Sequence, residues 1–129
     1  MTKKILIVDD EAHLRMLLEQ TLEDLVEENG VELLTASDGL EAVKMIREHC
    51  PDLVFLDVMM PHMNGHEVCE QIALDEHFRD LPIVLLTAKG QDLDRRRGLE
   101  LGACRFMTKP FDPDDILDLA RQLLELESS

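Results

Sequence analysis

The sequence predicts an α/β fold: a doubly wound, five-stranded parallel sheet with five helices covering both faces. Three observations predict it. Five short apolar runs alternate with five amphipathic stretches, three of the runs are apolar throughout, and the connections between them are short. Strands covered on both faces read as continuous apolar runs. Strand–helix alternation returns each strand to the sheet in parallel through a right-handed crossover.

The first strand is "ILIV", 5–8, followed from Glu11 to about Glu28 by a helix with Leu14, Leu17, Leu18, Leu22, Leu25 and Val26 on one stripe. Glu11, Arg15, Glu19, Glu23 and Glu27, four residues apart, form a charged stripe elsewhere on that helix, and Asn29-Gly30 supplies the stop. The run "VELLTA", 31–36, is a weaker strand, and the helix at 39–49 carries Leu40, Val43 and Ile46 before Pro51 ends it. The third strand is "DLVFL", 52–56, and the next helix, 65–75, carries Val68, Ile72 and Ala73. "PIVLL", 82–86, makes the fourth strand, and a poorer, glycine-flanked helix follows at 91–101. A mixed edge strand, "CRFMT", 104–108, precedes the last helix, 113–126, with Ile116, Leu117, Ala120, Leu123 and Leu124 inward. Asp112 is placed to cap that helix, with Pro113 at its first position.

The 129 residues suit one domain spanning 1–129, and with 45% of them apolar the chain can bury a substantial core. No run approaches the roughly 18 apolar residues of a membrane span, and the basic start "MTKK" leads to Asp9 too soon for a signal peptide. The expectation is a soluble, cytoplasmic protein with no membrane association. Cys50, Cys69 and Cys104 are odd in number and widely spaced, which fits neither a disulfide framework nor a zinc site. Thirteen basic against 28 acidic side chains, a net charge of −15, argue against direct nucleic-acid binding, because phosphate contacts need clustered basic charge. The one basic run, Arg95-Arg96-Arg97, reads as a solvated helix face, and the absence of Trp and Tyr leaves few platforms for base stacking.

Ligands of parallel sheets bind outside the carboxyl ends of the strands. Here those ends carry Asp9-Asp10, Asp57, Thr87-Ala88 and Lys109-Pro110. Singly, each has an ordinary explanation: a helix cap, a turn residue, a β-branched strand residue, a solvated charge. Together they are harder to dismiss. Three carboxylates about 4 Å apart repel by roughly 4 kcal/mol per pair at an effective dielectric of 20, a cost that a structural cap does not require. A hard divalent cation removes it, and Mg²⁺ is typically held by one or two carboxylates with waters and phosphate oxygens. Asp9 and Asp10 are therefore read as holding a cation beside Asp57. His62 and His66 have the spacing of a helical metal pair, but Asn64-Gly65 between them marks a turn or helix start, so no metal role is assigned to them.

"LIVDDE", "LVFLDVMMPHMNG", "IVLLTAK" and "FMTKPF", in this order and at these intervals, resemble the receiver domain of bacterial two-component response regulators, over residues 4 to about 125. The resemblance implies a flavodoxin-like sheet of strand order 2-1-3-4-5. It also implies a signalling domain that assists only its own phosphorylation and dephosphorylation, not an enzyme with a separate substrate. Asp57 matches the family's phosphoacceptor. Asp10, Asp57 and the backbone carbonyl of Met59 match direct Mg²⁺ ligands, Mn²⁺ being an alternative ion, and Asp9 matches a residue acting largely through water. Thr87 matches the hydroxyl that bonds a phosphoryl oxygen, and Lys109 matches the cation that pairs with the phosphoryl or carboxylate charge. The Lys109-Pro110 bond is cis in the family, and Phe106 stands at its aromatic switch position. The implied donor is a histidine kinase or histidine phosphotransfer protein. The implied recipient is an effector domain or downstream protein, addressed through the face made by helix 91–101, the fifth strand and the last helix. Met59 and Lys89 fall at positions that tune hydrolysis in the family. Cys104-Arg105 replaces an acidic pair common in regulators fused to winged-helix DNA-binding domains, so their dimer contacts are not carried over.

Two other functions stay open on sequence alone. An Mg²⁺-dependent aspartyl-phosphate phosphatase or phosphotransferase of the haloacid-dehalogenase-like kind would want D-x-D on the first strand, whereas here the two aspartates are adjacent and the nucleophile candidate is on the third. A phosphorylation-independent pseudo-receiver would not need the full set Asp9, Asp10, Asp57, Thr87 and Lys109. The chain closes on "LLELESS" directly after the last helix, which suits either a stand-alone regulator or a piece of a longer one.

Overall fold

The computed structural model describes residues 2–60, 62–88, 105–109 and 111–126, without the side chains of Ala88, Arg105 and Phe106. Its elements are β1 (Lys4–Val8), α1 (Ala12–Asn29), β2 (Glu32–Ala36), α2 (Gly39–His49), β3 (Leu53–Asp57), α3 (Gly65–Ala73), a 3₁₀ turn (Glu76–Phe78), β4 (Ile83–Ala88), β5 (Arg105–Lys109) and α4 (Pro113–Leu123). All strand pairs are parallel and the order is β2-β1-β3-β4-β5. The expected helix at 91–101 and the expected strand residue Cys104 lie outside the described residues.

The pleat explains why β1, β3 and β4 are apolar at every position, since alternate side chains enter opposite layers. Leu6, Val8, Val54, Leu56, Ile83 and Leu85 meet Val43 and Ile46 of α2 and Val68 and Ile72 of α3. Ile5, Ile7, Leu53, Phe55, Val84 and Leu86 meet Leu18, Leu22 and Leu25 of α1 and Ile116 and Ala120 of α4. The sheet is thus the shared wall of two cores. Among the described residues no helix is long and apolar enough to cross a membrane.

Several boundaries and faces differ from the sequence reading. β4 runs on through Thr87 and Ala88, and β5 ends on Lys109, because both strands keep pairing to the sheet edge. α1 buries a narrower stripe than expected. Leu18, Leu22 and Leu25 face inward, while Leu17 and Val26, on the flanks, are 42% and 38% exposed. Leu40, expected inward on α2, is exposed, because it sits off the buried stripe of Gly39, Ala42, Val43 and Ile46 on that helix. Ala73 closes α3 on the solvent side.

Local chemistry sets the ends. Asp38 accepts the Glu41 N–H at 2.8 Å, and Asp112 accepts that of Asp114 at 2.8 Å ahead of Pro113. Asn64 and Glu67 form a reciprocal capping box on α3. Gly30 stops α1 in the left-handed region, φ 69°. Gly65 is required by space: a Cβ there would lie 2.8 Å from the Asp57 carbonyl oxygen and 3.0 Å from the Val58 Cα. Its N–H donates to the Val58 carbonyl at 2.9 Å, so α3 starts pressed against the end of β3.

Gly65→Ala is therefore expected to lower stability by about 1–3 kcal/mol, read as a reduced urea midpoint at unchanged slope. A midpoint equal to that of the wild type would show that the contact is not tight.

Candidate functional site

Register brings the strand-end residues together. Val8 pairs with Leu56 and Asp57 with Leu86, so Asp9 follows β1 beside Asp57, and Thr87 follows one residue beyond on β4. Ala88 pairs with Lys109, which places the lysine at the same edge. Backbone bonds continue the ladder here: Asp9 N–H donates to the Ala36 carbonyl at 3.3 Å and Val58 N–H to that of Leu86 at 3.2 Å.

The side chains then converge. Asp9, Asp10 and Asp57 each present a carboxylate oxygen, and these oxygens lie within 4.8 Å of one another. Asp9 is fully buried and Asp57 is 6% exposed, whereas Asp10 is exposed. Lys109 bridges the two buried acids, its Nζ at 3.1 Å from Asp9 Oδ2 and 3.2 Å from Asp57 Oδ1. The Met59 N–H also donates to Asp57 Oδ1, at 3.3 Å, and the Glu11 N–H to Asp9 Oδ1 at 3.0 Å. Thr87 is buried at the end of β4.

The electrostatics follow. Burial, and then the neighbouring Asp9 charge, push the Asp57 carboxyl up from its ordinary 3.8 to about 6, against the opposing pull of Lys109 and the Met59 amide. For Lys109, burial alone disfavours the ammonium, but Asp57 and Asp9 together outweigh it and the group lies above its usual range. Among the described residues Lys109 is the one cation whose side chain contacts these carboxylates. It leaves two negative charges uncompensated, the charge of a single divalent cation. The donor set is hard oxygen, open on the Asp10 side, and so fits Mg²⁺ or Mn²⁺ rather than a soft metal.

The structure thus brings together Asp9, Asp10, Asp57 and Lys109, with Thr87 at the same edge. Met59 joins them through its N–H, while its own side chain is 62% exposed. Phe106 is a β5 residue whose side chain lies outside the described residues, as do Pro110 and Lys89. His62 stands exposed with φ 69° while His66 is buried on α3, so the two occupy different environments. Sequence reasoning missed Arg15, which it placed in a charged stripe elsewhere on α1. Arg15 is half-buried and its Nη1 donates to the Asp9 carbonyl oxygen at 2.6 Å. The available signal was its distance from Asp9: one helical turn past the strand-to-helix corner, a long donor can reach back to the strand end.

The family model described as the response regulator receiver domain matches residues 5–121. The alkaline phosphatase synthesis transcriptional regulatory protein PhoP of Bacillus subtilis (strain 168) is 47% identical over 116 residues, 90% of this chain and 46% of that protein. The chain spans about half the length of the curated relatives it matches. Among solved structures, the chemotaxis protein CheY4 of Vibrio cholerae superposes with a TM-score of 0.84 at 30% identity, covering 95% of this chain and 99% of that one. The receiver domain of the sensor histidine kinase PA1611 from Pseudomonas aeruginosa PAO1 gives 0.84 at 25% identity, covering 97% and 99%, and has a magnesium ion coordinated in its active-site cleft.

A carboxyl whose folded pKa is raised destabilises the fold once ionised; that cost is full above about pH 6 and absent well below 3.8. In Mg²⁺-free buffer, Asp57→Asn is expected to raise the melting temperature at pH 7.5 by about 3 °C or more, with the gain shrinking as the pH falls from 6 to 4. A melting temperature at or below that of the wild type at pH 7.5, or a gain undiminished at pH 4, would contradict the repulsion inferred at this edge.

Proposed function

The chain belongs to the response regulator receiver domain family of two-component signalling, and from that premise we propose that Asp57 accepts a phosphoryl group in an Mg²⁺-dependent reaction. The observation that carries the proposal is a pair of buried carboxylates bridged by a single lysine, with the exposed carboxylate of Asp10 within 4.8 Å of both. Asp10, Asp57 and the Met59 carbonyl would hold the ion directly, with Asp9 acting largely through water. When bound, the ion supplies charge compensation for the phosphoryl oxygens and relieves the mutual repulsion of its ligands.

The protein's own residues do the rest. Lys109 and the Met59 N–H both hold Oδ1 of Asp57, which leaves Oδ2 as the attacking oxygen. Oδ2 bonds to phosphorus as the bond to the departing imidazole nitrogen of a phosphohistidine breaks, and the leaving group takes up a proton from water. No general base is needed, because ionised carboxylate is the nucleophile. Lys109 and the Thr87 hydroxyl stabilise charge on the equatorial oxygens. Thr87 then couples the phosphoryl group to Phe106 and to the face that includes β5 and α4. Phosphorylation shifts that face only as far as it binds the two states unequally; moving from 1:99 to 99:1 takes about 5.5 kcal/mol.

In this reading residues 1–129 form one receiver domain working in the cytoplasm. It takes phosphate from a histidine kinase or histidine phosphotransfer protein and signals to an effector domain or a downstream protein. The net charge of −15 favours output through protein contacts over direct binding of nucleic acid.

With Mg²⁺ and acetyl phosphate, the protein is expected to gain one acid-stable, hydroxylamine-labile phosphoryl group by intact mass. Chelation of Mg²⁺ or Asp57→Asn should abolish the gain, and Lys109→Ala should slow it on the order of a hundredfold. Undiminished labelling of Asp57→Asn would place the nucleophile elsewhere. Multiple turnovers of free phosphomonoesters would indicate a phosphatase instead.

Protonation also competes with the ion at Asp57. Mg²⁺ affinity measured by calorimetry should be nearly flat above about pH 7 and fall by up to about tenfold per pH unit below about 6. An affinity constant from pH 7 down to pH 5 would show that Asp57 is not a ligand.

A further inference from the structure

Besides the Arg15 bond at its carbonyl oxygen, Asp9 is held at three points: its N–H by the Ala36 carbonyl, one carboxylate oxygen by the Glu11 N–H, the other by Lys109. Asp57 is held by Lys109 and the Met59 N–H. Asp10 is exposed, and among the described residues no side chain anchors its carboxylate, yet that carboxylate reaches within 4.8 Å of the other two. Something must aim it. Glu11, the residue that opens α1, contributes no side-chain cap to its helix, so the β1–α1 corner has no tie from that source.

We propose that Arg15 is the positioning residue for Asp10, acting through the Asp9–Asp10 peptide; this rests on the reading of Asp9, Asp10 and Asp57 as the Mg²⁺ site. The Asp9 carbonyl oxygen that Arg15 Nη1 bonds at 2.6 Å belongs to the same planar unit as the Asp10 nitrogen and Cα. Fixing that oxygen fixes the plane from which the Asp10 side chain departs. The contact is short and has an ionised donor, which makes it one of the stronger hydrogen bonds available to a backbone carbonyl. Its base is firm: one turn further along α1, Leu18 and then Leu22 are fully buried in the core beneath the sheet. Outer groups of this kind, which orient a ligand without touching the metal, typically alter metal affinity by 10- to 100-fold when removed.

A competing effect has the opposite sign. Arg15 is itself a cation near the pocket, and its removal would favour Mg²⁺ if long-range charge were all that mattered. The geometry points to aim outweighing charge, because a divalent ion needs oxygens at fixed short range and tolerates little wandering of a ligand.

The test uses the full chain with Arg15→Met and Arg15→Lys, read by Mg²⁺ calorimetry and by the nitrogen-15 order parameter of Asp10 in Mg²⁺-free protein. In the wild type Asp10 should be rigid, at about 0.85, falling toward ~0.6 in Arg15→Met. Mg²⁺ affinity should drop about tenfold in Arg15→Met and return to within about threefold in Arg15→Lys, since one N–H donor suffices. Unchanged Asp10 order in Arg15→Met, or Mg²⁺ bound as tightly as by the wild type or more so, would overturn the assignment. If the wild type binds no Mg²⁺ while Asp10 still loosens in Arg15→Met, the magnesium reading falls and the aiming of Asp10 by Arg15 stands.

Discussion

Three carboxylates forced to one edge of a sheet, with one lysine to oppose them, form the constraint on which the molecule is organised. β1 and β3 are neighbours in register, so the residue after one strand and the last residue of the other must lie side by side. Each acid alone would be unremarkable at a strand end. Asp9 and Asp57 are held side by side out of water; burial, and then the Asp9 charge, raise the Asp57 pKa to about 6, and Lys109 is in contact with both. The fold tolerates this because the two apolar layers on either side of the sheet are continuous and fully buried up to the residues before the acids. The apolar layers end where the strands end, and the three acids lie at that edge.

That arrangement links stability to function through one quantity, the cost of ionising Asp57. Under the proposed function a bound cation would relieve that cost by ligation, and phosphorylation would engage one Asp57 oxygen in a covalent bond. Both would act at the edge where Asp57 ends β3 beside β1 and the start of α3. Gly65 is the mechanical part of this link, since the absence of a Cβ lets the start of α3 sit against the Asp57 carbonyl. The carboxylate cluster thus lies where the sheet and the start of α3 meet.

Much of this was legible in the sequence because it depends on period and spacing. Continuous apolar runs marked the central strands, and Asp9, Asp10, Asp57, Thr87 and Lys109 fell at strand ends by counting alone. Asp112-Pro113 and Asn64-Gly65 announced their helices through local capping chemistry, which needs no tertiary information. What escaped the sequence was set by neighbours distant along the chain. Which flanking residues are covered, Leu40 of α2 or Leu17 and Val26 of α1, depends on how each helix is seated against the sheet and its neighbours. Arg15 fits a four-residue charge repeat perfectly well, and only the three-dimensional corner between β1 and α1 turns it toward the Asp9 carbonyl. The strand order came from family resemblance, because pairing between non-consecutive strands leaves no local trace.

At the root of the structure is the crowding of these carboxylates, which a bound cation would relieve. Its most direct measurement is the pH titration of the Asp57 carboxyl carbon by carbon-13 NMR, with and without Mg²⁺. A midpoint of about 6 is expected in metal-free protein, with a displacement of at least about one pH unit downward at saturating Mg²⁺. A midpoint at the ordinary carboxylate value of about 4 in both conditions would contradict it.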